Sequence, residues 1–146
     1  MSPRKAEVAL AGSRPFLVSN FRVDFGDGKA RTASGGFSEV IFPEFRLEPD
    51  PGGPAPAIPA NRLILKRGVC GALDLYAWWE QTRLGLAPPR PKVAIQLLRQ
   101  DLRTVALTWT FHQVRPVALS YSPLRALEDA VLIETLELAF ERFELS

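Results

Sequence analysis

A mainly β domain with one well-marked helix is the fold class that the sequence predicts. Short runs of branched and aromatic residues recur along the chain, several of them alternating apolar and polar side chains. Glycine, proline and aspartate separate these runs where turns are needed. One internal stretch, ALDLYAWWEQTRLGL (72–86), instead carries a helical spacing.

The 146 residues fit a single domain, and a hydrophobic fraction of 47% is enough for a real core. Residues 1–14 are mostly small or polar, with a few basic residues, and read as a mobile arm, leaving 15–146 as one domain. No run of eighteen apolar residues is present, so no membrane span is expected. The start lacks a sustained apolar stretch, so a cleaved signal peptide is not expected either. Cys70 is the single cysteine, which excludes an internal disulfide framework and makes cytoplasmic synthesis the default. Net charge is +2 but unevenly spread. Residues 128–146 hold six acids against one base, Arg142, while 61–115 hold nine bases against three acids. Such separation suits nucleic acid, a membrane surface, or head-to-tail contact between copies of the chain.

In order along the chain, FLVSNFRVDF (16–25) predicts a half-buried strand with Phe21, Val23 and Phe25 on one face. Asp27-Gly28 predicts a tight turn, because glycine accepts a positive φ. GFSEVIFPEFRL follows as strand, with Pro43 marking an edge or a bulge. Residues 48–60, EPDPGGPAPAIPA, hold five prolines and two glycines in thirteen positions and predict a protruding loop. Its stiffness lowers the entropy lost on docking, which makes Pro49, Pro51, Pro54 and Pro56 self-assembly candidates. NRLILKR (61–67) predicts a short strand, with Gly68 and Gly71 around the next turn. In the helix, Leu75, Trp78, Trp79 and Thr82 share one face. Asp74 and Arg83 suit the two ends of its dipole, Gly85 is a C-terminal stop, and Pro88-Pro89 prevent continuation. KVAIQLLRQ, TVALTWTFHQV and PVALSYS predict three more strands, the first two joined by a turn near Asp101.

The final stretch, AVLIETLELAFERFELS, supports two readings. As a helix it has an acidic face of Glu134, Glu137, Glu141 and Glu144, and its leucine, glutamate and alanine are good helix formers. As a strand, Leu136, Leu138 and Phe140 point inward, and one bulge near Glu141-Arg142 passes the inner face to Phe143 and Leu145. Local pattern favours the helix.

Chemistry-bearing residues are sparse. His112 is the single histidine, and with Cys70 alone it has no zinc-binding spacing. The terminal glutamates read as a solvated or subunit-facing edge rather than an acid–base pair. KRGVCG lacks the spacing of a phosphate loop or dinucleotide fingerprint. Trp78 and Trp79 point about 100° apart on a helix, so one suits the core and the other its rim. No catalytic, metal or cofactor site is expected.

Three segments together resemble a known family. LILKRGVCGALDLYAWWEQ resembles the strand–turn–helix of contractile-tail tube proteins, with an LKRG turn before a helix carrying a leucine and paired tryptophans. IETLELAFERFEL resembles their closing strand, and NFRVDF followed by GFSEV their opening hairpin. The family covers phage tail tubes, pyocin tubes and inner tubes of extracellular contractile injection systems, and is similar in fold to the type VI secretion tube protein. The resemblance implies a small two-sheet antiparallel β-barrel with one helix packed on its side. It implies that Lys66, Arg67 and Gly68 form the turn into that helix, and that Ala130–Leu145 is a closing strand with a slip near Arg142. It further implies six-fold rings stacked into a hollow conduit for DNA or a protein payload, with sheath, baseplate or spike-hub proteins as partners in a phage-tail-like particle. IFPEFRL after GFSEV, the proline-rich stretch and the N-terminal arm depart from the family pattern and leave room for a specialised ring near the baseplate.

On this reading Glu134, Glu137 and Glu141 become self-assembly candidates, able to meet the basic middle of a neighbour. Edge strands that would aggregate in a monomer can pair across subunits. The alternative is a monomeric β-barrel binding module for a ligand or single-stranded nucleic acid, which predicts monomers, salt-dependent affinity and exposed aromatics.

Overall fold

Alternation of buried and outward side chains builds most of this molecule. The structure is a computed structural model and describes residues 15–26, 31–32, 36–48, 51–55, 58–86 and 90–146. The expected arm (1–14), the Asp27-Gly28 turn, Pro49, Pro56 and Pro88-Pro89 lie outside the described residues. The elements are β1 (Phe21–Asp24), β2 (Arg31–Thr32), β3 (Glu39–Ile41), β4 (Arg62–Gly68), α1 (Asp74–Arg83), β5 (Arg90–Leu98), β6 (Val105–Tyr121), β7 (Ile133–Ala139) and β8 (Arg142–Leu145).

All ladders are antiparallel, in the order β2-β1-β5-β6-β7-β4-β3, and β8 also pairs with β6. The arrangement resolves into two sheets that share β6. One sheet is β2-β1-β5-β6-β8 and the other is β3-β4-β7-β6. In β4, Leu63, Leu65 and Arg67 point inward, and in β7 Glu134, Leu136 and Leu138 do the same. Together with Val23, Val93, Ile95 and Phe111 these leucines form one core. Side chains before and after β3 close the seam to the first sheet. Phe37 meets Phe25 edge-on at 5.7 Å, and Phe42 lies 4.9 Å from the Trp109 ring. The fold is mainly β, a two-sheet antiparallel barrel-like body with a helix on its flank, as expected.

The corner between the sheets is a matched pair of kinks. On β6 the buried positions pass from Phe111 to Val114, and between them Gln113 adopts a φ of 54°. On the partner chain segment they pass from Phe140 to Phe143, across the break between β7 and β8. Phe111 pairs with Phe143, so both strands change phase at the same rung and the register survives the bend. A second irregularity, between Pro116 and Ala118, adds one residue to β6 farther on.

The terminal segment is therefore extended, with the interruption at Phe140–Glu141. Two details differ from expectation. Pairing begins at Ile133 rather than Ala130, because residues 122–132 form a loop. Leu145 stays exposed, since β8 ends beside the rim of the sheet rather than over the core. TVALTWTFHQV and PVALSYS form one 17-residue strand instead of two. Arg115-Pro116 does not end it, because Pro116 sits beside the bulge, where a missing N–H is tolerated. NFRVDF pairs with β2 and β5, whereas GFSEV turns away to pair with β4, so these two segments do not form one hairpin. Pro43 follows β3, which is an end strand.

The helix lies close to its expected bounds. Leu75 and Trp78 enter the core, Trp79 and Thr82 are half-buried, and Gly85 takes a φ of 72° just past the last turn. Trp78 meets Phe25 edge-on at 5.7 Å, which ties the helix to β1.

Candidate assembly surface

Lys66, Arg67 and Gly68 are the last three residues of β4 rather than a turn. Alternation sends Arg67 inward, where a guanidinium must find partners or destabilise the fold. Its Nε donates to Glu134 Oε1 on β7, and its Nη2 lies 2.5 Å from Asp74 Oδ1 at the helix start. The same guanidinium lies 5.6 Å from the Phe37 ring. Burial is the largest influence on its pKa and opposes the charge. The hydrogen bonds and charges of Asp74 and Glu134 outweigh burial, and the pKa is raised. One side chain thus joins β4, β7, α1 and the segment before β3. Leu73 supplies no side-chain cap, so Asp74 serves both the helix dipole and Arg67.

Glu134 is accordingly enclosed within the subunit and saturated by Arg67. Glu137 and Glu141 are placed differently. Glu137 is half-buried on the outward face of the second sheet, between Ile64 on β4 and Ala118 on β6. Glu141 is exposed at the corner, where its backbone N–H donates to His112 O at 3.0 Å. Pro51 and Pro54 are exposed. Lys66 points outward, with Nζ 3.9 Å from Glu39 Oε1.

His112 sits on the outward face of β6 and approaches Glu144 Oε1 at 2.6 Å. Arg142, and secondarily His112, hold the Glu144 carboxyl below the usual carboxylate range. Only the His112 contact crosses from β6 to β8, since Arg142 and Glu144 both belong to β8. Among the described residues no group of three metal-ligating side chains gathers, and no helix is long and apolar enough to cross a membrane.

Sequence reasoning treated Arg67 and Glu134 separately and gave Asp74 a dipole role alone. The signal was present: in RLILKRG and IETLELA both charges fall on the apolar phase of their strands. The loop 122–132, which holds Leu124, Leu127 and Val131 in solvent, gave no such signal, since the i, i+3, i+7 spacing of those residues fits a helix that the chain does not form there.

A small two-sheet antiparallel body, not closed into a barrel by hydrogen bonds among the described residues and flanked by one helix, has the fold of a tube-type subunit. The family model described as T4-like virus tail tube protein gp19 matches residues 55–144, and the chain belongs to that family of structural tube proteins, which are not enzymes. Among solved structures, the fold is similar to the PVC sheath–tube complex of an extracellular contractile injection system in its extended state. That match has a TM-score of 0.75 and 19% identity, covering 100% of this chain and 98% of that one. The six-fold symmetrised baseplate of the anti-feeding prophage matches with a TM-score of 0.62 and 24% identity, over 92% and 97% of the two chains. A type six secretion system protein matches with a TM-score of 0.53 and 12% identity, over 86% and 81%. No curated protein sequence matches the chain.

Proposed function

We propose that this tail tube protein forms six-fold rings that stack into the inner conduit of a contractile tail or contractile injection system. The family match over residues 55–144 carries the reading. Two features support it. The sheet ends in β2 and β3, and open ladders of this kind invite pairing with another copy. The fold likeness also extends over nearly the whole of a chain from a sheath–tube complex and of one from a six-fold symmetrised baseplate.

Sheath, baseplate and hub proteins are the partners this reading names, and the lumen takes DNA or a protein payload. The proline-rich stretch at 48–60 and the N-terminal arm, which depart from the family pattern, support a specialised ring near the baseplate. Glu137, Glu141, Pro51 and Pro54 are the proposed contact residues, with Pro49 and Pro56 from the same stretch. The acidic end faces the basic middle of a neighbour.

Negative-stain microscopy with sedimentation of the purified full chain tests this. Six-fold rings or filaments are expected, and the charge reversals Glu137→Lys and Glu141→Lys at low salt should reduce them. Unchanged assembly of the reversed variants removes the acidic contact. Monomers at every concentration, with or without baseplate partners, refute the ring.

A further inference from the structure

β1 and β3 share no ladder, and between the contacts Phe25–Phe37 and Phe42–Trp109 a groove of about 530 Å³ remains, lined by Phe16, Leu17, Phe21, Val40, Phe42 and Trp109 among others. Its walls are mostly apolar, and none of the described residues fills it. Past Phe16 and Leu17 a second concavity continues to Leu98 and Arg99. The groove therefore has a mostly apolar floor, with Glu39 on its β3 wall held toward Lys66, and a basic end at Arg99.

Elsewhere the chain presents apolar side chains to water. The β6–β7 loop holds Leu124 84% exposed and Leu127 fully exposed, at the far end of the second sheet. It is held in place at both base and tip. Ser122 N donates to Ile133 O, and Ile133 N donates to Ser122 Oγ, both at 2.9 Å. Val69 N reaches Leu132 O at 2.8 Å, and an Arg125–Glu128 ion pair of 3.1 Å closes the turn. A pre-shaped loop that presents leucines to water loses little entropy on docking and gains by burying them. Next to Leu127 stand the exposed acids Glu128 and Asp129, opposite in charge to Arg99 at the groove's end.

We propose that the β6–β7 loop of one copy, led by Leu124 and Leu127, seats in the β1–β3 groove of a second copy, with Glu128 and Asp129 facing that copy's Arg99. Knob and socket lie on different surfaces, so each copy offers both and the contact is heterologous, the kind that propagates into a ring or stack. The inference rests on the tube reading and names the part of the surface that makes the contact.

The test uses the full chain with Cys70→Ser. Two single-cysteine proteins, Leu17→Cys at the groove and Leu127→Cys at the loop, are mixed under assembling conditions and oxidised. Disulfide-linked dimers are expected from the mixture, and none from Leu127→Cys mixed with Leu86→Cys, an exposed site just past α1 and outside the groove. Leu127→Asp, a change at a fully exposed site, should weaken self-association at least ten-fold while leaving the circular dichroism spectrum unchanged. Rings or filaments that form without the 17–127 cross-link overturn the docking and leave the tube reading standing. Monomers that neither assemble nor cross-link at any concentration overturn the tube reading and the docking with it.

Discussion

Replacing Arg67 with methionine removes the one cation that β7, α1 and the segment before β3 share. Arg67 and Glu134 are each 4% exposed, so the substitution strands a carboxylate that water scarcely reaches. Asp74, with a third of its side chain in solvent, can be hydrated instead. Breaking one partner of a buried pair costs about 3–5 kcal/mol. For a chain of this length each kcal/mol corresponds to about 3 °C, so the melting temperature should fall by about 9–15 °C. The double variant Arg67→Met/Glu134→Leu should regain most of that loss, because replacing both members of a buried pair by apolar groups is often neutral. Urea unfolding of the monomeric chain, followed by circular dichroism for the four members of the cycle, gives both the cost and the coupling. A single-variant loss below about 1 kcal/mol, or a double variant as unstable as the two singles summed, would refute the shared-cation account.

Other outcomes follow from the same packing. Trp78→Ala should cost about 3–5 kcal/mol by opening a cavity beside Phe25, and Trp79→Ala about 1 kcal/mol, since its half-exposed ring borders solvent near Arg83; equal effects in urea unfolding would contradict the assigned faces. Asp101 accepts from the Thr104 hydroxyl and from the N–H groups of Thr104 and Arg103, which lowers its pKa from 3.8 to about 2. Its contribution to the β5–β6 turn is therefore complete above about pH 4 and is lost as pH falls toward 2, and a carboxyl titration by NMR with a midpoint near 3.8 would contradict those bonds. Gly85→Ala should cost about 1 kcal/mol through its positive φ alone, because an added Cβ meets no atom within 4 Å; an unchanged unfolding midpoint would show that the helix end relaxes.

The helix was legible because its face, its terminal charges and its glycine stop all agree locally. The inward face of FRVDF was legible for the same reason, since Phe21, Val23 and Phe25 keep period two. The closing segment was not legible by preference, as leucine, glutamate and alanine favour helix. What overrides them is the ladder on each side: β7 lies between β4 and β6, which satisfy its backbone from both edges. Among the candidate assembly residues, sequence placed Glu134 and Glu137 together as acids. Their separation into an internal partner of Arg67 and an outward group depends on strand phase, which the helical reading erased.

The sequence by itself determined a mainly β body, its one helix, and the face of Phe21, Val23 and Phe25 that packs into the core, because those depend on periods of a few residues. Only the tertiary structure decided that Arg67 would meet Glu134 and Asp74, that β6 and the closing strand would bend at one shared rung, and that the described residues would leave a groove between β1 and β3. Each of these joins segments distant in the chain. Their geometry is set by ladder register and sheet curvature, which no local stretch of residues encodes.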